Sequence, residues 1–103
     1  MKWVPVKALA EISENEIIAF SHEGLDWILI RQENAVSAFV DVCSHQAIKL
    51  SEFGEIQQGV LICHAHGAAF DCRDGKELCF PASSPLQQVP VRVINGVVEI
   101  QIE

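Results

Sequence analysis

Apolar positions in this chain fall in short runs and alternations, not in helical stripes. Lys2–Val6, Ile17–Phe20, Trp27–Arg31, Val36–Val42, Val60–Ile62, Ala68–Asp71, Val89–Ile94 and Val97–Ile102 are each rich in Val, Ile, Phe or Trp. Gly, Asn, Asp, Ser and Pro punctuate them, which predicts strands joined by turns. No window keeps a 3.6-residue apolar period, and only Ala8–Glu14 has room for a turn or two of helix. Asn95-Gly96 is the dipeptide that a type I′ hairpin turn selects, because both positions need positive φ. A two-residue turn there pairs Val93 with Val98, Val91 with Ile100 and Val89 with Ile102 on one face, and sets Arg92 against Glu99 on the other. Two more hairpins are predicted, across Asp74-Gly75 and through Gln32–Asn34. Cys43–Gly59 and Phe80–Gln88 are less regular. There is no repeat, low-complexity tract or linker. The expectation is an all-β antiparallel barrel or sandwich with a loop-rich insertion between about residues 43 and 86.

Composition narrows the class. The 103 residues make one domain, 1–103, half of it apolar and a fifth charged, so it folds as an ordinary globule. The core of so short a chain is modest, and a bound metal would add to what holds it. Seven basic against fourteen acidic residues leave a net charge of −7. That argues against nucleic acid and anionic membranes and favours partners with basic patches. No apolar run approaches the ~18 residues of a membrane helix, and Met1–Ala10 lacks a signal peptide's apolar core. A cytoplasmic location is expected.

The cysteines and histidines change the picture most. Cys43-Ser44-His45 reads C-x-H, and Cys63-His64-Ala65-His66 reads C-x2-H, with seventeen residues between His45 and Cys63. Each pair follows an apolar segment, Phe39–Val42 or Val60–Ile62, and so falls at a strand end. Two such loops can hold one tetrahedral zinc as Cys2His2, or a two-iron cluster with two thiolates on one iron and two imidazoles on the other. The spacing leans towards the second, since Cys precedes His in both pairs and facing loops then segregate sulfur from nitrogen. Zinc fingers more often keep like ligands together.

Cys43-Ser44-His45 with Cys63-His64-Ala65-His66-Gly67 resembles the Rieske [2Fe–2S] motif, C-x-H…C-x2-H-G. Leu50 fits the apolar position after the first loop. Ala68-Ala69-Phe70-Asp71 with Asp74-Gly75-Lys76 resembles the segment behind the second, and Pro81-Ala82 with Pro85-Leu86 the proline loop that covers the cluster. The likeness runs from roughly Trp3 to Ile102, the whole of a small Rieske-type ferredoxin. It implies three small antiparallel sheets with an inserted cluster-binding subdomain. It also implies one [2Fe–2S] cluster, with Cys43 and Cys63 on the inner iron and His45 and His66 on the outer. Two ferric ions, two sulfides and two thiolates sum to zero charge, so one added electron takes the site only to −1. Gly67 is expected to bring its backbone N–H close to a sulfur.

Departures from the pattern matter as well. Ile48 and Ala65 stand where high-potential relatives carry a disulfide, Ala68 replaces a hydroxyl donor, and the chain has no Tyr. Fewer donors to sulfur imply a potential near the low end of the Rieske range, about −150 mV. His64 replaces a common Pro, and Gln46-Ala47 replaces smaller residues.

The resemblance implies a soluble, monomeric one-electron carrier with no catalytic residues of its own. It would pass electrons from an NAD(P)H-dependent flavoprotein reductase to a terminal Rieske non-haem iron oxygenase, as in aromatic-ring dioxygenase systems. The alternatives are a small non-catalytic subunit like that of nitrite reductase, and a zinc-stabilised binding module. Other residues take plainer readings. Cys72 and Cys79 are read as reduced core thiols, opposite Glu77 and Phe70. His64 faces solvent, His22 belongs to a turn, and Trp3 and Trp27 belong to the core. Glu11, Glu14 and Glu16 either guide a basic partner or form a solvated face. Phe80 and Pro81 either form an apolar docking lid or pack as loop.

Overall fold

A computed structural model of the chain describes residues 2–43, 48–65, 67–79, 82 and 84–102. Among them run β1 (Lys2–Ala8), a 3-10 turn (Leu9–Glu11), β2 (Ile17–His22), β3 (Leu25–Gln32), β4 (Ala35–Val40) and the single-turn helix α1 (Leu50–Phe53). Then come β5 (Gly54–Gln57), β6 (Val60–Cys63), β7 (Ala68–Asp71), β8 (Glu77–Cys79), β9 (Gln88–Val89), β10 (Val91–Ile94) and β11 (Val97–Ile102). They form three antiparallel sheets ordered β1-β11-β10, β2-β3-β4-β9 and β5-β6-β7-β8. Of the barrel-or-sandwich expectation, the layered form is the one found: none of the three sheets closes on itself.

Sheet β2-β3-β4-β9 is the middle layer, and the burial of β3 shows why. Trp27, Ile28, Leu29 and Ile30 are all buried in succession. Side chains alternate across a strand, so four in a row require cover on both faces. Trp27 and Leu29, with Ala38, join Val98, Ile100 and Ile102 of β11 in one core. Ile28 and Ile30, with Phe39, join Leu61, Phe70, Leu50 and the two cysteines Cys43 and Cys63 in the other. Each such aliphatic contributes about 1.5–3 kcal/mol by leaving water. The outer strands carry one buried face only: Val98, Ile100 and Ile102 alternate with half-exposed neighbours.

The Asn95-Gly96 hairpin forms as expected, with φ of 51° and 78° at its two turn residues and Val93, Arg92 and Val91 facing Val98, Glu99 and Ile100. Its third pair does not. Pro90 has no N–H to give, and it splits the predicted Val89–Ile94 strand. Its carbonyl accepts the Gln101 N–H at 3.0 Å, while Val89 crosses to face Ala38 in the middle sheet. The β3–β4 turn tightens to Glu33-Asn34. The Asp74-Gly75 connection carries a bulge, which places Cys79 opposite Ala69 and Glu77 opposite Phe70. Cys72 is buried but Cys79 is exposed, so only the first is a core thiol. Trp27 is in the core; Trp3 is half-buried, with the Arg92 guanidinium 4.2 Å from its ring centroid. No helix of the described residues is long and apolar enough to cross a membrane.

Candidate metal centre

Cys43 lies three residues beyond the end of β4, and Cys63 is the last residue of β6. The chain reaches Cys43 through a tight turn, with the Val42 N–H on the Val40 carbonyl at 2.8 Å. The Cys43 N–H then closes the first loop on the Ile48 carbonyl at 2.9 Å, and Leu50 follows, fully buried. The second loop is shorter. Cys63 faces Ala68 across the β6–β7 pair, and the Gly67 N–H donates to the Cys63 carbonyl at 2.8 Å.

That bond corrects the expectation for Gly67. Its N–H is spent on closing the turn. A Cβ built there would meet nothing within 4 Å, and what the position requires is its φ of +81°. The two loops are tied together at α1: the His64 N–H donates to the Phe53 carbonyl at 2.8 Å. Cys63 also faces Gly54, the first residue after the helix.

Cys43 and Cys63 are 1% and 0% exposed and belong to the same buried cluster between the middle sheet and sheet β5-β6-β7-β8. Twenty positions apart in sequence, they are buried in one core cluster at the ends of two loops. His45 and His66 lie outside the described residues, as do Ser44, Gln46, Ala47, Phe80, Pro81 and Ser83. Two thiols at the inner ends of loops that each carry a histidine two or three positions on are a donor set that fits a two-iron cluster with mixed ligation. One-electron chemistry is what such a group supplies when bound. The chain's own share would be to bury the sulfur donors and exclude water from them.

Around this centre the other groups sort clearly. His64 is about half-exposed and faces solvent, with its Nε2 in hydrogen-bond reach of Glu55 Oε1 at 2.6 Å. The Gln57 amide, and after it His64, hold the Glu55 carboxyl below its ordinary range. Burial, with Asp71 nearby, pushes the Cys72 thiol up to about 11, so it stays protonated at neutral pH. The Cys79 thiol contacts the Gly67 carbonyl at 3.6 Å. His22 ends β2, beside the turn at Glu23 and Gly24. Glu14 and Glu16 hold turns: Glu14 accepts the Glu33 N–H at 2.7 Å and Glu16 the Ser13 N–H at 2.8 Å. They sit at the Arg31–Val36 end of the middle sheet, while Cys43 extends from the Trp27–Val40 end. The length of β4, about 17 Å, separates the two ends.

Two further residues gave no signal in the Cys/His spacing. Asp41 is 1% exposed, and both its oxygens are bonded by Ser51: Oδ1 accepts the Ser51 N–H at 2.9 Å, Oδ2 the Ser51 hydroxyl at 2.6 Å. The available cue was a lone carboxylate inside the apolar run Phe39–Val42.

Comparison with known proteins agrees with this geometry. The family model of the Rieske [2Fe-2S] domain matches residues 2–90. The anthranilate 1,2-dioxygenase ferredoxin subunit of Burkholderia cepacia is 31% identical over 101 residues, 98% of this chain and 93% of that one. The ferredoxin component of the naphthalene 1,2-dioxygenase system of Pseudomonas putida is 28% identical over 95 residues, 92% of this chain and 90% of that one. Among solved structures, the complex of reduced oxygenase and oxidised ferredoxin in carbazole 1,9a-dioxygenase contains a chain that superposes with a TM-score of 0.88 at 26% identity. The match covers 95% of this chain and all of that one.

Proposed function

Since this chain belongs to the Rieske [2Fe–2S] domain family, we propose that Cys43 and Cys63 bind the inner iron and His45 and His66 the outer iron of its cluster. The protein carries one Rieske-type [2Fe–2S] cluster and acts as an electron-transfer component, not as an enzyme. In this reading it is a monomeric cytoplasmic carrier that takes single electrons from an NAD(P)H-dependent flavoprotein reductase. It delivers them to a terminal Rieske non-haem iron oxygenase of an aromatic-ring dioxygenase system. Residues 1–103 form one domain, and the part from about 43 to 86, which contains sheet β5-β6-β7-β8 and both loops, is the cluster-binding subdomain.

One observation carries the reading: the burial of Cys43 and Cys63 in a single core cluster at the ends of two hydrogen-bonded loops. The relatives support the partner, because they are ferredoxin components of dioxygenase systems. They also favour a shuttle over a fixed reductase subunit. The acidic run favours the plainer of its two readings. Glu14 and Glu16 lie at the far end from Cys43, and so does Glu11, whose 3-10 turn gives the Leu9 and Ile12 carbonyls to the Arg31 guanidinium; all three are beyond the ~8 Å over which exposed charges act at physiological salt. They add to the whole molecule's field and do not line the docking face.

The test is direct. Purified protein is expected to hold two irons and two acid-labile sulfides per chain, with a mixed His/Cys EPR signature after dithionite reduction. His66→Ala is expected to lose that signature. A colourless protein with one zinc, or an intact signature in H66A, overturns the ligand set. Reduction by a flavoprotein reductase and reoxidation by a dioxygenase's terminal component, both slowed by salt, are expected of the carrier role. Failure of an assembled cluster to exchange electrons with either component would remove it.

A further inference from the structure

We propose that Asp41 is a positioning residue for the cluster: with Ser51 it clasps the two ends of the first ligand loop, and its fixed negative charge holds the reduction potential down. This rests on the ligand assignment of Cys43 above.

Asp41 precedes the loop and Ser51 follows it. Between them lie Cys43, the Cys43–Ile48 backbone bond, Lys49 and the buried Leu50. The carboxylate is 1% exposed and is fixed at both oxygens by one residue, through its N–H at 2.9 Å and its hydroxyl at 2.6 Å. Both groups donate, the pattern that an ionised carboxylate accepts. The Asp41 N–H is committed as well, to the Asp26 carbonyl at 3.0 Å, and the Asp26 carboxylate meets Lys49 Nζ at 3.1 Å. The base of the loop is thus gripped from the middle sheet at two points. Neutral neighbours alone would close a loop more cheaply than a charge taken out of water. A buried carboxylate two positions from Cys43 therefore calls for an explanation beyond packing. Its electrostatic effect supplies one. The electron adds negative charge to the site, and a nearby carboxylate in a water-poor environment disfavours that addition.

Asp41→Asn separates charge from clasp. The amide oxygen accepts the Ser51 N–H, and the amide N–H2 donates to the Ser51 hydroxyl once that hydroxyl turns. Asp41→Asn is expected to retain iron and sulfide and to shift the one-electron equilibrium towards the reduced form by about tenfold, an upward move of about 59 mV. Ser51→Ala keeps the charge and loses one strut. It is expected to release iron to a chelator at least threefold faster, with no rise in potential. General damage to the fold would move both variants the same way. An unchanged potential in D41N, or a rise in both variants, overturns the proposal. Should D41N fail to load, S51A decides: wild-type iron retention there overturns the clasp, and faster release with an unraised potential upholds it. Loss of the cluster in H66A with these shifts absent would separate failure of this inference from failure of the ligand set.

Discussion

The two ligand loops solve the same problem in different ways. The second joins β6 to β7, neighbours in one sheet, and four residues, His64 to Gly67, suffice. Its closure is local: Cys63 faces Ala68, and the Gly67 N–H returns to the Cys63 carbonyl. The first loop leaves the middle sheet at Val40 and enters α1 at Leu50, on the way to a different sheet. No strand pairing holds its two ends. Beyond the single backbone bond from Cys43 to Ile48, it depends on tertiary anchors: Leu50 in the core, the Lys49–Asp26 ion pair and the Ser51–Asp41 bonds. A loop within one hairpin inherits its geometry from strand register. A loop between sheets must be given much of it by side chains, each of which can be removed singly.

The largest expected effect comes from cutting the strongest anchor. Leu50→Ala and Leu61→Ala both empty fully buried positions of the same core, one behind each loop. Each is expected to cost about 2–5 kcal/mol in urea unfolding. Leu50→Ala should in addition speed loss of cluster iron to a chelator by more than its stability loss explains. Leu61 lies inside a strand paired on both sides, to Ile56 and Phe70, so Leu61→Ala should not. Equal rates of iron loss at equal stability would erase the distinction between the loops.

A smaller effect tests the second loop's local character. Gly67 has φ +81° and open space where a Cβ would go, so Gly67→Ala pays for backbone alone, about 1–2 kcal/mol. Gly67→Asn, which tolerates this region better, should recover part of it. Thermal unfolding of the two variants measures both. A loss in G67A matching that of L50A would show that the loop is held by more than its own turn.

The same contrast governs what could be read without coordinates. The second loop and the Asn95-Gly96 hairpin were legible because their determinants are adjacent in sequence: a ligand spacing with its glycine, and two residues that accept positive φ. The three-sheet layering was carried by family resemblance and by the alternation in β11. Gly54–Gln57 was missed because a single Ile among Gly, Glu and Gln gives no strand signal; β6 pairs it into one. Glu77–Cys79 is three residues on an edge, and its bulge moved Cys79 by one position. Val89 was misplaced because a turn-centred register ran straight through Pro90. Asp41 and Ser51 are ten positions apart and carry no shared pattern, so their bond belongs to the tertiary structure alone.

The smallest effect lies on the second loop's surface, at Glu55 and His64. The pair is exposed, so solvent screens it and little stability is at stake near neutrality. Its pH dependence still has a definite sign. The Gln57 amide and His64 hold the folded Glu55 carboxyl below the 4.5 of an unperturbed glutamate. The folded state therefore binds the proton less readily than the unfolded chain. Its advantage is whole above the unfolded value and fades as pH falls through the lower, folded one. Glu55→Gln removes the titrating group. The wild type should melt slightly higher than E55Q at pH 6, and the gap should close as the solution is taken down past the carboxylate range. Because the second loop is closed by its own backbone, the gap should leave iron retention at pH 6 unchanged. A gap that persists unchanged into acid would assign the stabilisation to packing of the side chain, and faster iron loss in E55Q would mean that this loop, like the first, leans on a side-chain strut.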